Sequence, residues 1–146
     1  MHFEENSDFE KALQIAIQAH LGQRDRYGEP YILHPLRVMS RLDSGDEKIV
    51  ALLHDVIEDS PLTLEQLASE GFTEKIINAV DALTKRAGED YMKYIARVTM
   101  DTLARVVKLA DLEDNMDLKR CKELATDDIN RMNRYLGAWF YLKNFK

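Results

Sequence analysis

The chain has 146 residues, 45% of them hydrophobic and 32% charged, which suits one soluble domain with a sizeable core. A net charge of −6 and a pI near 5.2 argue against general nucleic-acid binding, which rests on a basic phosphate-contacting face. The single Cys121 rules out an internal disulfide, no apolar run reaches membrane-spanning length, and Met1-His2-Phe3-Glu4-Glu5 lacks the regions of a signal peptide. A cytoplasmic location with no membrane partner is therefore expected.

The predicted elements, in chain order, are all helices. Phe9, Ala12, Leu13, Ala16 and Ala19 recur at helical spacing and define a first helix that ends toward Gly22. A polar loop over residues 23–29 delivers Pro30 and Tyr31 to His34. Pro35 then opens a short helix with Leu36, Val38, Met39 and Leu42, leaving His34 extended just outside it and stopping near Gly45. Asp46 is expected to cap one continuous helix through Ile49, Leu52, Leu53 and Val56, broken at Ser60-Pro61. Thr63 with Gln66 forms a capping box for a short helix closed by Gly71. Thr73 caps another through Ile76, Ile77, Val80 and Leu83, and Ala87-Gly88 separates it from a segment around Tyr91, Tyr94 and Ile95.

A longer helix starts near Asp101 and carries Lys108, Asp111 and Asn115, which at offsets of three and four share one face. The last helix shows Ile129, Met132, Leu136, Trp139 and Phe140 along a stripe, taken as a core face, with a partner subunit in a homo-oligomer as the alternative. No alternating run is long enough for a sheet, and there are no repeats, low-complexity tracts or linkers. The expectation is an all-α fold with residues 1–146 as a single domain.

The chemistry gathers on His34, His54, Asp55 and Asp111. Two imidazoles and two carboxylates form a nitrogen and oxygen donor set that suits a hard or borderline divalent metal. Glu58 and Asp59 follow at once and supply acidic neighbours able to handle water, a combination that points to metal-assisted hydrolysis. On a continuous helix Glu58 lies four residues after His54 and three after Asp55, while His54 and Asp55 point about 100° apart, so one ion must sit off the edge they share. A lone His-Asp pair is weak evidence, since His54 could be a satisfied core histidine and Glu58-Asp59 a solvated helix end. Its company, His34 upstream and Asp111 downstream, changes that balance.

The order His34-Pro35, then Leu52-Leu53-His54-Asp55-Val56-Ile57-Glu58-Asp59, then Lys108-Leu109-Ala110-Asp111 resembles the HD superfamily of metal-dependent phosphohydrolases. More narrowly the chain is similar to the hydrolase domain of the RelA/SpoT proteins and their small stand-alone relatives, through Ala19-His20-Leu21-Gly22-Gln23, the stretch from Gly28 to Pro35, Ala82-Leu83-Thr84-Lys85 and Asn115. The resemblance implies a single HD-type helical domain, with no room in this chain for a synthetase domain, that removes the 3′-pyrophosphate of the alarmone (p)ppGpp. It implies His34, His54, Asp55 and Asp111 as ligands of one metal, usually manganese (Mn2+), and Glu58 and Asp59 as the catalytic acids acting on water. It places Thr84, Lys108 and Asn115 in the substrate pocket. Independently of the resemblance, Arg24, Arg26, Arg37, Lys85, Arg86 and Lys108 are the candidates for a locally positive, phosphate-binding pocket in an otherwise acidic chain.

The sequence also departs from that pattern. Asp25 stands where relatives place an arginine, Leu112 where a basic residue usually follows the aspartate, and Asp117 where an arginine often follows Asn-Met. Three positive charges are thus missing beside a site meant for a polyanion, and Asp25→Arg is expected to lower KM for the alarmone. The departures favour one other reading, an HD phosphohydrolase acting on another nucleotide or phosphate ester; a catalytically silent nucleotide-binding module is a third, against which stands the presence of every ligand and both catalytic acids.

Overall fold

A computed structural model describes residues 7–146, and the signal-peptide reading of Met1-His2-Phe3-Glu4-Glu5 lies outside the described residues. Among the described residues there is no strand, only an isolated bridge between Arg24 and Pro30. The helices are α1 (Asp8–Ala19), α2 (Leu33–Ser40), α3 (Gly45–Leu53), α4 (Val56–Asp59), α5 (Leu64–Ser69), α6 (Glu74–Leu83), α7 (Tyr91–Val98), α8 (Thr102–Asn115) and α9 (Thr126–Asn144). A 3-10 turn at Leu118–Arg120 joins the last two. No helix of the described residues is long and apolar enough to cross a membrane.

The fold is organised around α3. Five successive residues, Ile49 to Leu53, are buried, so this helix has no solvent face over its second half and is covered by α1, α2, α6 and α8. Leu52, Leu53, Val56, Ile95, Val107 and Leu112 fill the space between these helices. Local signals set most of the helix starts. Ser7, Ser44 and Thr63 form reciprocal capping boxes with Glu10, Glu47 and Gln66, and Thr73, Asp90 and Asp101 accept a backbone N–H from the first turn of their helices. The cap of α3 is therefore Ser44, not Asp46, which lies in the first turn and pairs with Lys75 at 3.3 Å.

Two further expectations are corrected. Pro35 does not open α2: the helix starts at Leu33 and takes in His34, whose N–H donates to the Tyr31 carbonyl at 2.9 Å. Pro35 remains within the first turn, where a missing N–H costs nothing. The stripe on α9 is the core face only in part. Trp139 packs against the core and Met132 lines the cleft, but Ile129, Leu136 and Phe140 are 48%, 44% and 56% exposed, and the fully buried positions are Ala138 and Leu142.

A fourth correction bears on function. The helix expected to run through residues 46–59 stops at Leu53 and restarts at Val56, with His54 and Asp55 in the turn between them. Asp55 adopts φ −106°, ψ −2°, off the helical line.

Candidate metal centre and substrate cleft

The break between α3 and α4 is what brings His54 and Asp55 together. On a straight helix neighbouring side chains diverge by about 100°. In the turn they converge, with His54 Nε2 at 3.0 Å from Asp55 Oδ2. Helix α8 adds Asp111, whose Oδ1 lies 3.3 Å from His54 Nε2 and 2.9 Å from His34 Nε2. His34, His54 and Asp111 are all buried, and each offers a ligand atom within 4.8 Å of the others. Asp55 completes the square from its edge, 3.7 Å from His34 Nε2.

Hydrogen bonds on the far side of each ring decide what the near side can do. His54 Nδ1 lies 2.5 Å from the Ala51 carbonyl, an acceptor only, so Nδ1 carries the proton and Nε2 presents a lone pair. That Nε2 is buried with no hydrogen-bond partner, and it faces two carboxylate oxygens. Lone pairs from a nitrogen and two oxygens repel unless a cation sits among them. The donor set therefore fits a divalent metal, and the orphaned Nε2 of His54 is the structural sign of it. Without a metal, protons take that place. Burial would lower the pKa of His34, but hydrogen bonds to Asp111 and Asp114 outweigh it and raise it to about 9. Burial acts likewise on His54, yet Asp55 and Asp111 hold it above its usual value. Desolvation opposes ionisation of Asp55 and Asp111 too, and the surrounding cations still keep both carboxyls below the usual range, Asp55 chiefly through His54 and Asp111 chiefly through Lys108.

The expected pocket residues divide into two sets. Lys108 Nζ donates to Asp111 Oδ2 at 2.8 Å, and Asn115 Nδ2 to Asp111 Oδ1 at 3.2 Å, so both line the cleft while also fixing the carboxylate they flank on α8. Arg24 and Arg26 reach the cleft wall from the loop over residues 23–31. Thr84 stands apart from the lining: its hydroxyl donates back to the Val80 carbonyl at 2.8 Å, and the next residue, Lys85, faces the cleft instead. Arg86 pairs with Asp81 at 3.0 Å, outside the cleft.

Glu58 also lines the cleft, and its Oε1 accepts the Lys85 N–H at 2.5 Å. Burial raises its pKa against that hydrogen bond. Asp59 is the outer of the two acids and is not among the lining residues. Partial burial of its carboxyl, then the charges of Asp55 and Glu58, push it up to about 6. Tyr31 braces the arrangement through its hydroxyl, which donates to Asp55 Oδ2 at 2.6 Å.

The cleft above this floor has a volume of about 420 Å3 and is lined by eight Lys and Arg against four Asp and Glu. Arg120, Arg131 and Arg134 belong to that basic set and escaped the sequence reading, as did Tyr27, Tyr91 and Tyr135. Their signal was present in α9, where Arg131, Arg134 and Tyr135 share one face at offsets of three and four. Arg134 lies over the rings of Tyr91 and Tyr135 at 5.2 and 5.9 Å, and Arg120 over Tyr27 at 5.8 Å. These side chains restore the positive charge that Asp25, Leu112 and Asp117 appeared to remove. Leu112 is fully buried core, and Asp117 pairs with Lys119 at 3.5 Å and Arg120 at 3.7 Å. Asp25 serves its own loop: its Oδ1 accepts the N–H groups of Tyr27 at 2.9 Å and Glu29 at 3.0 Å.

Asp114 is the other residue that sequence reasoning missed. Fully buried on α8, it accepts from His34 Nδ1 at 2.8 Å and from Arg37 Nε at 2.9 Å. Burial would raise its carboxyl, and those two hydrogen bonds reverse that and hold it at about 2. Its position three residues after Asp111, on the same face, was the available clue.

Fold and site together define an all-helical domain built around a His and Asp grouping able to hold a divalent metal. The chain belongs to the HD domain family, whose model matches residues 12–130. It is similar to a guanosine-3′,5′-bis(diphosphate) 3′-pyrophosphohydrolase of Borreliella burgdorferi, 36% identical over 129 residues, covering 78% of this chain and 19% of the relative. The enzyme of that name from Haemophilus influenzae is 40% identical over 117 residues, covering 70% and 17%. A probable GTP pyrophosphokinase of Mycobacterium leprae is 37% identical over 124 residues, covering 76% and 16%. The chain thus spans less than a fifth of the length of these curated relatives. Among solved structures, a metazoan ortholog of SpoT described as hydrolysing ppGpp has the same fold, with a TM-score of 0.77 at 22% identity over 98% of this chain and 89% of that one.

Proposed function

We propose that this protein is a metal-dependent phosphohydrolase that removes the 3′-pyrophosphate of guanosine tetra- and pentaphosphate. The observation that carries the reading is the two-tier cleft: a buried floor of His34, His54, Asp55 and Asp111 beneath a mouth of arginines and tyrosines. A ligand with phosphates at both ends of a ribose and a stacking base matches that mouth, through guanidinium contacts to phosphate and ring faces for the base. The names of the relatives support the same substrate class.

His34, His54, Asp55 and Asp111 would hold one divalent ion, for which Mn2+ is proposed. Such an ion supplies Lewis acidity and lowers the pKa of water from 15.7 toward about 7. Glu58, whose Oε1 is held by the Lys85 N–H, accepts the proton of the attacking water on Oε2. Asp59, held at about 6, is poised to share that proton near neutral pH. The water oxygen bonds to the phosphorus attached at the 3′ position, the phosphorus bond to the 3′ oxygen breaks, and that oxygen leaves with a proton. Lys108 offsets the charge on the transferred group, and the arginines of the mouth hold the ligand's remaining phosphates. Lys108, Asn115, Arg24 and Arg26 are proposed as substrate contacts, and residues 1–146 as a single HD hydrolase domain.

A second reading, cleavage of another phosphorylated nucleotide, is favoured by the acidic Asp25 in the lining of the cleft. Incubating the Mn2+-loaded protein with guanosine tetraphosphate, nucleoside mono-, di- and triphosphates and NADPH separates the two. Guanosine tetraphosphate is expected to be cleaved fastest, giving GDP and pyrophosphate. Preferential cleavage of another compound would install the second reading, and binding without cleavage of any would make the protein a nucleotide-binding module.

A further inference from the structure

Both imidazoles of the floor are built alike, each with Nδ1 turned outward to an acceptor and Nε2 turned inward. For His54 the acceptor is a main-chain carbonyl, which no substitution removes. For His34 it is the side chain of Asp114, on a different helix and 80 residues away in the chain. Asp114 stands between Glu113 and Asn115, and nothing in its neighbourhood in sequence requires a carboxylate.

We infer that Asp114 is the positioning residue of the metal site: it keeps the His34 proton on Nδ1, so that Nε2 faces Asp111 and Asp55 as a lone pair. The inference rests on the proposed metal site and adds a residue to it. The geometry assigns a task to each carboxylate oxygen. Oδ2 accepts from His34 Nδ1 at 2.8 Å. Oδ1 accepts from Arg37 Nε at 2.9 Å and lies 3.7 Å from Arg41 Nη2. Arg120 closes the cage, donating from Nη2 to the Asp114 carbonyl at 3.4 Å. With 1% of its side chain exposed, Asp114 is out of reach of bulk water. An ionised carboxylate only accepts hydrogen bonds, and a guanidinium only donates them. His34 is thereby left one choice of tautomer, and the arginines hold the carboxylate that enforces it. A carboxylate behind a ligand histidine typically changes metal affinity by about 10- to 100-fold.

The cage makes an unusual prediction for Asp114→Asn. Arg37 at 2.9 Å and Arg41 at 3.7 Å require an oxygen at the Oδ1 position more strongly than Arg120, at 3.9 Å, requires one at Oδ2, so the amide turns its NH2 toward His34 Nδ1. A donor there makes Nδ1 the acceptor and moves the proton to Nε2, where it blocks the metal. Asparagine is the conservative replacement in shape and the disruptive one in hydrogen bonding. A merely structural role predicts the opposite order, with Asp114→Ala worse than Asp114→Asn.

The test titrates Mn2+ into the parent, Asp114→Asn and Asp114→Ala proteins, following free Mn2+ by electron paramagnetic resonance, with circular dichroism reporting the fold. The parent is expected to take up one Mn2+ per chain. Asp114→Asn is expected to bind about 10- to 100-fold more weakly while remaining folded, and at least as weakly as Asp114→Ala. In parallel, 15N correlation spectra of the Zn2+-loaded proteins should show His34 protonated on Nδ1 in the parent and not in Asp114→Asn, a readout that stands even where Asp114→Ala does not fold. Affinity of Asp114→Asn within threefold of the parent, or an unchanged His34 tautomer, overturns the positioning role. Failure of the parent itself to bind Mn2+ overturns the metal site on which that role depends.

Discussion

The floor and the mouth of the cleft are built on opposite terms. The floor comes from α2, α8 and the turn after α3, packed against the core, and each of its side chains is held by a named partner, only His54 Nε2 being left without one: Asp111 by Lys108 and Asn115, Asp55 by Tyr31, His34 by Asp114, His54 by the Ala51 carbonyl. The mouth comes from the loop over residues 23–31, the 3-10 turn and one face of α9; two of its arginines, Arg120 and Arg134, lie over tyrosine rings, and Arg26 and Arg131 pair with Asp128. A rigid floor keeps donor atoms within coordinating range, as preorganised charge stabilisation demands. A mouth of long cations on less buried elements adapts to a ligand's phosphates, and its strength falls with salt. The difference suggests that chemistry resides in the floor and affinity in the mouth.

Breaking the floor should have the largest effect. His54→Ala removes a buried nitrogen that has no other partner in the protein, and metal content by elemental analysis is expected to drop to background, taking hydrolysis with it. The metal-dependent rise in melting temperature should vanish as well, since that rise reflects ligand binding to the folded state. Metal content at the parent level in His54→Ala would remove this residue from the site.

Next in size is Glu58→Gln, which keeps the side-chain shape but loses the proton acceptor. Turnover is expected to fall by a factor of about 10² or more with Mn2+ content unchanged. Parent turnover would assign the water to another group, Asp59 being the nearest.

The electrostatics of the floor set a pH dependence of intermediate size. Without metal, the His34 pKa is raised from 6.5 to about 9, so its protonated form adds stability that is complete below pH 6.5 and is lost as pH rises through 9. A metal must displace that proton. Mn2+ affinity should therefore climb with pH across this window, by up to about tenfold per pH unit for one proton released, measurable by calorimetry in buffers of different ionisation enthalpy. A flat affinity from pH 6.5 to 9 would contradict the protonated state of His34.

Asp25→Arg sharpens the comparison at the mouth with the smallest effect. Sequence reasoning expects it to lower KM by replacing a repulsive charge. The structure shows Asp25 accepting two N–H groups of its own loop, and arginine cannot accept them. The expected outcome is no gain in KM and a melting temperature lower by a few degrees, since losing one such turn interaction costs about 1 kcal/mol. A clear drop in KM would restore the sequence-based view.

How much was legible in the sequence follows the same division. His34, His54, Asp55 and Asp111 were readable as a group because side-chain type and order are local properties, and the capping residues of α5 and α6 were readable for the same reason. The break at His54 and Asp55 was not, because Leu52, Leu53 and Val56 continue a helical apolar pattern straight through it; a buried imidazole bonded to the Ala51 carbonyl overrides that pattern. Asp114 looked like one more acid in the run Leu112-Glu113-Asp114-Asn115, and only tertiary contact with α2 reveals its partners. The α9 arginines were hidden for a related reason: the face they share with Tyr135 points to no site until the fold brings it to the same cleft as Tyr27 and Tyr91.

The most direct test of the division of labour is the steady-state kinetics of an Arg131→Ala, Arg134→Ala double variant, loaded with Mn2+ and supplied with guanosine tetraphosphate. Both side chains line the mouth and neither touches the metal-binding atoms. Loss of one charge-assisted contact is worth roughly 1.5 kcal/mol, so KM should rise about tenfold or more, less so at high ionic strength, while kcat stays within about twofold of the parent. A fall in kcat at unchanged KM would contradict the account, because the mouth would then be acting on the reacting phosphoryl group itself.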